Sequence, residues 1–253
     1  MTDTTHRPAP VAAQANINRY WSERADSYDA HHLKQIGNAD IRAGWIDVWQ
    51  RALPAPPARV LDVGTGTGHV SVLLAELGYD VVGTDLADGM LDKAREKAAA
   101  LPNPPELRLG DAVAPEFPPA SFDVVTNRYL LWTLRTPEVA LRNWRALLRP
   151  GGLLAAVDST WFPTGIHAPV SGDSATPLER QPGLGDLYDR DVLSLLPLAE
   201  ATSIDESAAA VRAAGFTDVV VTPLTRILDL DRRYGVAEGH EVQLQFLITG
   251  RAV

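Results

Sequence analysis

The sequence predicts a doubly wound α/β fold, and three observations carry that prediction. Between residues 59 and 157 short apolar runs alternate with helix-patterned stretches, which implies a mostly parallel sheet covered by helices on both faces. The first run, residues 59–63, leads straight into Gly64-Thr65-Gly66-Thr67-Gly68, a glycine turn that opens a helix. The next two runs end near an acid, Asp85 and Asp111, at the strand ends where open α/β sheets gather their ligands.

Taken in order, residues 1 to about 15 read as a disordered tail, polar and Pro-containing and without the apolar core of a signal peptide. Residues 16–53 read as an N-terminal helical lid. Ile41, Trp45, Val48, Trp49 and Ala52 recur there at three- and four-residue spacings, so they share a face. Pro54, Pro56 and Pro57 close it off, and residues 54–253 form the α/β domain. Strands are expected at 59–63, 80–84, 107–109, 122–126 and 153–157. Helices are expected at 67–77, ended by Gly78, at 87–100, and from Pro137 to about 148, where Pro150-Gly151-Gly152 breaks the pattern. Regularity fails at about 159–202, a Pro- and Gly-rich insertion with one apolar stretch at 192–198. A helix at 204–214 and strands at 219–222 and 242–250 complete seven strands.

Composition sets limits. The 253 residues, 45% hydrophobic and 22% charged, suffice for one large domain with its own core. A net charge of -9 argues against a nucleic-acid partner, since phosphates are held by surplus Lys and Arg. The absence of cysteine excludes disulfides, thiolate metal sites, a cysteine nucleophile and iron–sulfur chemistry. No His or carboxylate cluster has ligand spacing, so no metal is expected. No apolar run reaches the ~18 residues of a membrane span. A cytoplasmic monomer or homodimer without a membrane partner is the expectation.

The glycine turn separates two ligand classes. A dinucleotide site uses G-x-G-x-x-G, with pyrophosphate on the helix N-terminus. Here the third glycine comes one residue early, at Gly68, and His69 takes the place it would fill. No Lys-Ser or Lys-Thr follows, so a phosphate-binding P-loop is excluded. A G-x-G-x-G loop preceded by Asp62 instead brings backbone against a ligand without bridging phosphates. Asp85 can accept both hydroxyls of a ribose, and Gly110-Asp111-Ala112 can read an adenine edge. Taken singly, Asp111 is equally a capping residue.

These residues resemble the class I S-adenosylmethionine-dependent methyltransferases of small molecules. Residues 61–68 look like their first motif, 81–91 like the second and 109–112 like the third; 121–125 and 147–152 look like the fourth strand and the turn before the fifth. The likeness covers roughly residues 55–158. It implies a seven-stranded, mostly parallel sheet with a reversed last strand, and S-adenosylmethionine as cofactor with S-adenosylhomocysteine as product. Gly64, Thr65, Gly66 and Gly68 would lie beneath its methionine part, and Asp62 would orient that loop or the cofactor's amino group. Asp85 would hold the ribose, Leu86 would lie against the adenine, Gly110, Asp111 and Ala112 would address the adenine edge, Asn127 would face the methionine through its backbone, and Met90 and Arg128 would join them in binding the cofactor. Tyr20 and Tyr28 resemble a lid segment that closes over the cofactor.

Methyl transfer is an in-line displacement in which placement supplies much of the effect, and a base is needed only where the acceptor keeps its proton. His167, Tyr28 and His32 are the catalytic candidates, set against the plainer view of His31 and His32 as exposed turn residues. Asp158 either faces the pocket or caps a turn. Tyr129, Trp132 and Trp161 either wall an apolar pocket or belong to an ordinary core. The expected activity is methylation of a small molecule at oxygen, nitrogen or carbon. The alternatives are a cofactor-dependent cyclase or a binding module on the same fold, or a nicotinamide-dependent dehydrogenase, which the glycine spacing opposes.

Overall fold

The computed structural model describes residues 10–162, 190–236 and 242–253. Seven strands form one sheet in the order β3-β2-β1-β4-β5-β7-β6. They are β1 (Arg59–Val63), β2 (Asp80–Asp85), β3 (Glu106–Leu109), β4 (Phe122–Arg128), β5 (Leu148–Asp158), β6 (Thr217–Pro223) and β7 (Phe246–Arg251). Strands β1 to β5 pair in parallel, and β7 lies antiparallel between β5 and β6, so the reversed last strand is present. Strand order reverses between β1 and β4. Successive crossovers diverge there, and a crevice opens at the strand carboxyl ends.

The helices are α1 (Pro10–Glu23), α2 (Ala25–Gly37), α3 (Ala39–Ala52), α4 (His69–Glu76), α5 (Asp88–Ala98), α6 (Pro137–Leu147), α7 (Arg190–Leu193), α8 (Ile204–Ala213) and α9 (Thr225–Tyr234), with a 3-10 turn at Leu131–Thr133. Period-two alternation splits the sheet between two cores. Leu61, Val125 and Leu154 meet α6 and α8 around Trp144. Val60, Val124 and Ala155 meet α3, α4 and α9 around Trp45 and Trp49. Trp144 and Trp49 are both 0% exposed. Each removes about 200 Å² from water, or about 5 kcal/mol of hydrophobic driving force before the cost of ordering.

Several expectations need correction. Helix α1 begins at Pro10, so residues 10–15 are helical and not tail. The lid of 16–53 divides in two. Helix α3 is part of the sheet's core through Ile41, Trp45 and Trp49, and the break falls at Asn38, whose side chain accepts from the N–H groups of Asp40 and Ile41. Strand β5 runs through Pro150-Gly151-Gly152, because a register shift against β4 absorbs the irregularity. Strand β7 begins at Phe246 and not at 242. Helix α9 was not anticipated. Of the insertion, residues 163–189 lie outside the described residues; its far end, with Val192, Leu196 and Ala199 buried, packs onto the body.

Candidate active site

Strand β1 delivers the glycine turn to the crevice. Gly64, Gly66 and Gly68 have φ of +66, +55 and +84°, where other residues pay about 1–2 kcal/mol. A Cβ on Gly64 would meet Leu130 Cδ1 at 2.7 Å, whereas one on Gly66 would meet nothing within 4 Å. Gly66 is therefore open floor. Beneath it, Asp62 is 1% exposed; it accepts from Thr65 Oγ1 at 2.6 Å and from Thr126 Oγ1 at 3.1 Å. Burial pushes its carboxyl up to about 7, against the pull of those hydroxyls. Asp62 is thereby tied to the glycine turn through Thr65.

Asp85 ties two loops together. Its Oδ2 accepts from Gly66 N and its Oδ1 from Ala87 N, each at 2.8 Å, and burial raises its pKa. Half-buried Leu86 follows it. Met90 packs with Ala25 and Ala87, against Trp21 and Tyr28. A Cβ on Gly89 would meet Ser22 O at 2.5 Å, so the corner between α1 and α2 sits on the first turn of α5. Ion pairs Lys97–Asp29 and Lys93–Asp26 fasten α2 to α5. Gly110 N donates to Asp85 O at 2.9 Å. Exposed Asp111 accepts from Val113 N at 2.8 Å, which is the capping alternative. The carbonyl of Ala112 accepts from Trp144 Nε1 at 2.7 Å. Tyr20 packs edge-on against Trp21 beneath Arg24 and does not line the cleft over the glycine turn; Tyr28 does.

That cleft is also lined by His32, His69, Val70 and Arg128. His32 is a buried α2 residue, 5% exposed, and not an exposed turn histidine. Its Nε2 stands 3.4 Å from Arg128 NH1, and its Nδ1 3.1 Å from Thr67 Oγ1. Arginine can only donate, so Nε2 is the acceptor and Nδ1 carries the proton toward Thr67. Burial, then the charge of Arg128, holds His32 neutral, with a pKa well below 6.5. The guanidinium of Arg128 lies 4.6 Å from the Trp45 ring and 4.0 Å from the Tyr129 ring. Among the described residues it has no ion-pair partner within 4.0 Å, and its Nε is buried without a hydrogen bond. Burial raises the Tyr28 phenol, which therefore stays protonated at neutral pH.

Asn127 is 0% exposed, and neither atom of its carboxamide has a partner among the described residues. Both ring nitrogens of His69 are likewise buried and unpartnered. Leaving such groups unmet costs about 1–3 kcal/mol each; His69 lines the cleft, and Asn127 precedes Arg128, which does too.

Beyond the cleft, above β4 and β5, lies an apolar cluster. Ile17 of α1, Trp132 of the 3-10 turn, and Val192, Leu196 and Ala199 at the far end of the insertion are buried together, against Trp21, Trp161 and Phe162. Trp132 meets Phe162 edge-to-face at 5.5 Å, and Trp161 meets Tyr129 at 4.7 Å. Asp158 organises this cap. It is 1% exposed and accepts from Leu131 N and Ser159 N at 2.9 Å and from Trp161 Nε1 at 2.5 Å. It is a capping residue whose carboxyl burial raises to about 6. His167 lies outside the described residues. Sequence reasoning missed Asp231 and Gln245, which reach Arg128 through Tyr129; neither stands in a recognisable motif.

Comparison with known proteins accords with this geometry. A family model described as "Methyltransferase domain" matches residues 61–156. A demethylmenaquinone methyltransferase of Thermus thermophilus is 36% identical over 157 residues, 59% of this chain and 69% of that protein. A ubiquinone biosynthesis O-methyltransferase of Paraburkholderia phymatum is 32% identical over 138 residues, 53% and 55% of the two chains. The chain thus spans from about half to about two thirds of the relatives it matches. Among solved structures, Haemonchus contortus phosphoethanolamine N-methyltransferase 2 in complex with S-adenosyl-L-methionine superposes with a TM-score of 0.62 at 17% identity, covering 92% of this chain and 57% of that one. The [4+2]-cyclase SpnF does so at 0.57 and 21%, covering 84% and 81%; both likenesses show the fold alone. The chain belongs to the class I S-adenosylmethionine-dependent methyltransferases.

S-adenosylmethionine is the cofactor of this family and supplies a methyl group activated on a sulfonium. The residues fit it. Open Gly66 leaves room over the floor, and Asp85 retains lone pairs for a ribose. Asn127, next to Arg128, carries an unmet donor and acceptor. Among the described residues no helix is long and apolar enough to cross a membrane.

Proposed function

We propose that this chain methylates a small, largely apolar, ring-bearing acceptor presented above the carboxyl ends of β4 and β5. The aromatic cluster of Trp21, Trp132, Trp161 and Phe162 carries this reading. Four separate segments converge to build it, and it stands beside the cleft over the glycine turn. Pockets for small ligands are mostly apolar with a few placed polar groups, and flat rings pack well edge-on or offset against aromatic walls. The names of the relatives point the same way, since demethylmenaquinone and ubiquinone biosynthesis both concern ring-bearing lipophilic molecules.

In this reading Gly64, Thr65, Gly66, Gly68 and Asp62 form the floor under the cofactor, Asp85 takes the ribose, and Leu86, Met90, Gly110, Asp111 and Ala112 surround the adenine. Asn127 and Arg128 take the amino-acid end. Tyr28 closes the cleft from α2, with Tyr20 supporting Trp21 behind it. The helices over the crevice exclude water, and placement of the acceptor against the methyl does most of the work. For an acceptor that keeps its proton, the neutral imidazole of His32 is a candidate proton acceptor in the cleft, beside that of His69. His167 serves the same end if the insertion brings it in.

Calorimetry with S-adenosylhomocysteine and NAD, followed by turnover with a panel of phenols, quinols and aliphatic amines, tests the reading. Binding of S-adenosylhomocysteine but not NAD is expected, with methyl release only to ring acceptors. Tight NAD binding would end the cofactor reading, and preferred turnover of aliphatic amines the acceptor reading.

A further inference from the structure

Among the described residues the guanidinium of Arg128 has no carboxylate beside it, yet a carboxylate is connected to it through two side chains. Arg128 NH2 donates to Tyr129 Oη at 2.9 Å. Tyr129 Oη donates to Gln245 Oε1 at 2.5 Å, and Gln245 Nε2 donates to Asp231 Oδ2 at 2.9 Å. Asp231 and Gln245 are 4% and 6% exposed. Every bond in the chain points the same way, from cation to anion, so each link polarises the next in the same sense. The chain joins four elements: the end of β4, the turn after it, the residue before β7, and α9. Tyr129 is held for this role at a φ of +62°, a conformation that costs an aromatic residue free energy and persists where surroundings over-determine it.

A relayed counter-ion differs from a direct one. A carboxylate in contact would occupy the forked edge of the guanidinium and cancel most of its field. Here only NH2 is committed to the relay. The NH1 side turns to the cleft, where its one partner among the described residues is the neutral His32 Nε2 at 3.4 Å, a long contact. Trp45 and Tyr129 hold the plane between their rings.

We propose that Asp231, Gln245 and Tyr129 are a positioning chain that orients Arg128 and leaves its NH1 edge free to bind the carboxylate at the amino-acid end of the cofactor. The inference rests on the cofactor reading above and adds to it two residues, Asp231 and Gln245, that no cofactor motif contains. Arg128 is the binding residue. The other three act through it.

The test compares binding of two ligands by full-length protein: S-adenosylhomocysteine, and its decarboxylated analogue, which keeps the nucleoside, the sulfur and the amine. Asp231→Asn keeps the shape of the side chain but removes the charge. It should weaken S-adenosylhomocysteine about tenfold and leave the analogue within about twofold. Tyr129→Phe, which cuts the relay at its first link, should do the same. Arg128→Gln should lose more, and adding Asp231→Asn to it should cost little further, as expected for residues acting through one another. Melting temperature, read alongside, checks that the variants fold. Equal loss for both ligands would reduce the chain to scaffolding and overturn the proposal. So would unchanged affinity for both, or a rise only in acceptor KM, which would give Arg128 to the acceptor. Wild-type protein that binds neither ligand would overturn the cofactor reading, and the inference with it.

Discussion

The two sides of the crevice are built differently. The cofactor side is contiguous: residues 62 to 85 supply the glycine floor, the acid beneath it and the acid that ties it to β2. The proposed acceptor side is assembled from afar, with Ile17, Trp132, Trp161 and Leu196 meeting only in the fold. A ligand common to a whole family is read largely by backbone and a few acids, so the centre of its site fits within one strand–turn–helix–strand unit, to which the proposed contacts at Asp111 and Arg128 are added from later strands. An acceptor particular to one enzyme is read by side chains that several elements deliver. The comparison predicts that the two sides separate under mutation, the first changing cofactor affinity and the second acceptor KM.

The largest effect expected is from Asp85→Ala. Losing a charge-assisted contact of about 1.5–3 kcal/mol should weaken S-adenosylhomocysteine about 10- to 100-fold, measured by calorimetry. Because Asp85 also holds Gly66 N and Ala87 N, a small fall in melting temperature should accompany it. Unchanged affinity in the folded variant would make Asp85 a loop tie and nothing more.

A smaller effect, on the other side, is expected from Trp161→Ala. Its ring packs on Tyr129 and its Nε1 reaches Asp158. Removal should raise acceptor KM about tenfold, an aromatic contact's worth together with lost apolar area, with S-adenosylhomocysteine affinity within about twofold of wild type. A matching loss of cofactor affinity would break the comparison and show the two sides to be one site.

Legibility in the sequence followed the same division. The glycine turn, Asp85 and the alternation of elements were readable because each is a local pattern with a local cause. Helix α9 was not. Its buried stripe includes Leu224, Ile227 and Asp231, and a buried acid at i+7 interrupts the apolar periodicity that announces a helix. The same acid, satisfied by Gln245 from another element, begins the relay to Arg128. Helix α3 was recognised by its Trp45–Trp49 face but assigned to a lid, because a sequence shows that a face is apolar and not what it packs on. The terminal strands of the acceptor side depend on the reversed β7, whose pairing with β5 spans about a hundred residues of chain.

The smallest effect expected concerns Asp62, and it tests whether the cofactor side carries stored cost. Its carboxyl is raised to about 7 by burial, far above the ordinary 3.8 of a free aspartate, which applies in the unfolded chain. The folded form therefore binds the proton more tightly than the unfolded form across the interval between those values. Stability from this group is present in full below the unfolded pKa and is lost as pH rises through the folded one. Between pH 6 and 7 the loss amounts to about 1 kcal/mol, or about 2–4 °C in melting temperature for a domain of this size. His32 and His69 act in the opposite sense, since their depressed pKa values remove stability as pH falls. The informative quantity is thus a difference between proteins. Asp62→Asn keeps one hydrogen-bond acceptor for the Thr65 and Thr126 hydroxyls and cannot titrate. Ligand-free wild type should lose more melting temperature than Asp62→Asn on going from pH 6 to 7, while both carry the same histidine contribution. Identical slopes would mean that Asp62 is already ionised below pH 6 and that its hydrogen bonds, not its burial, set its charge.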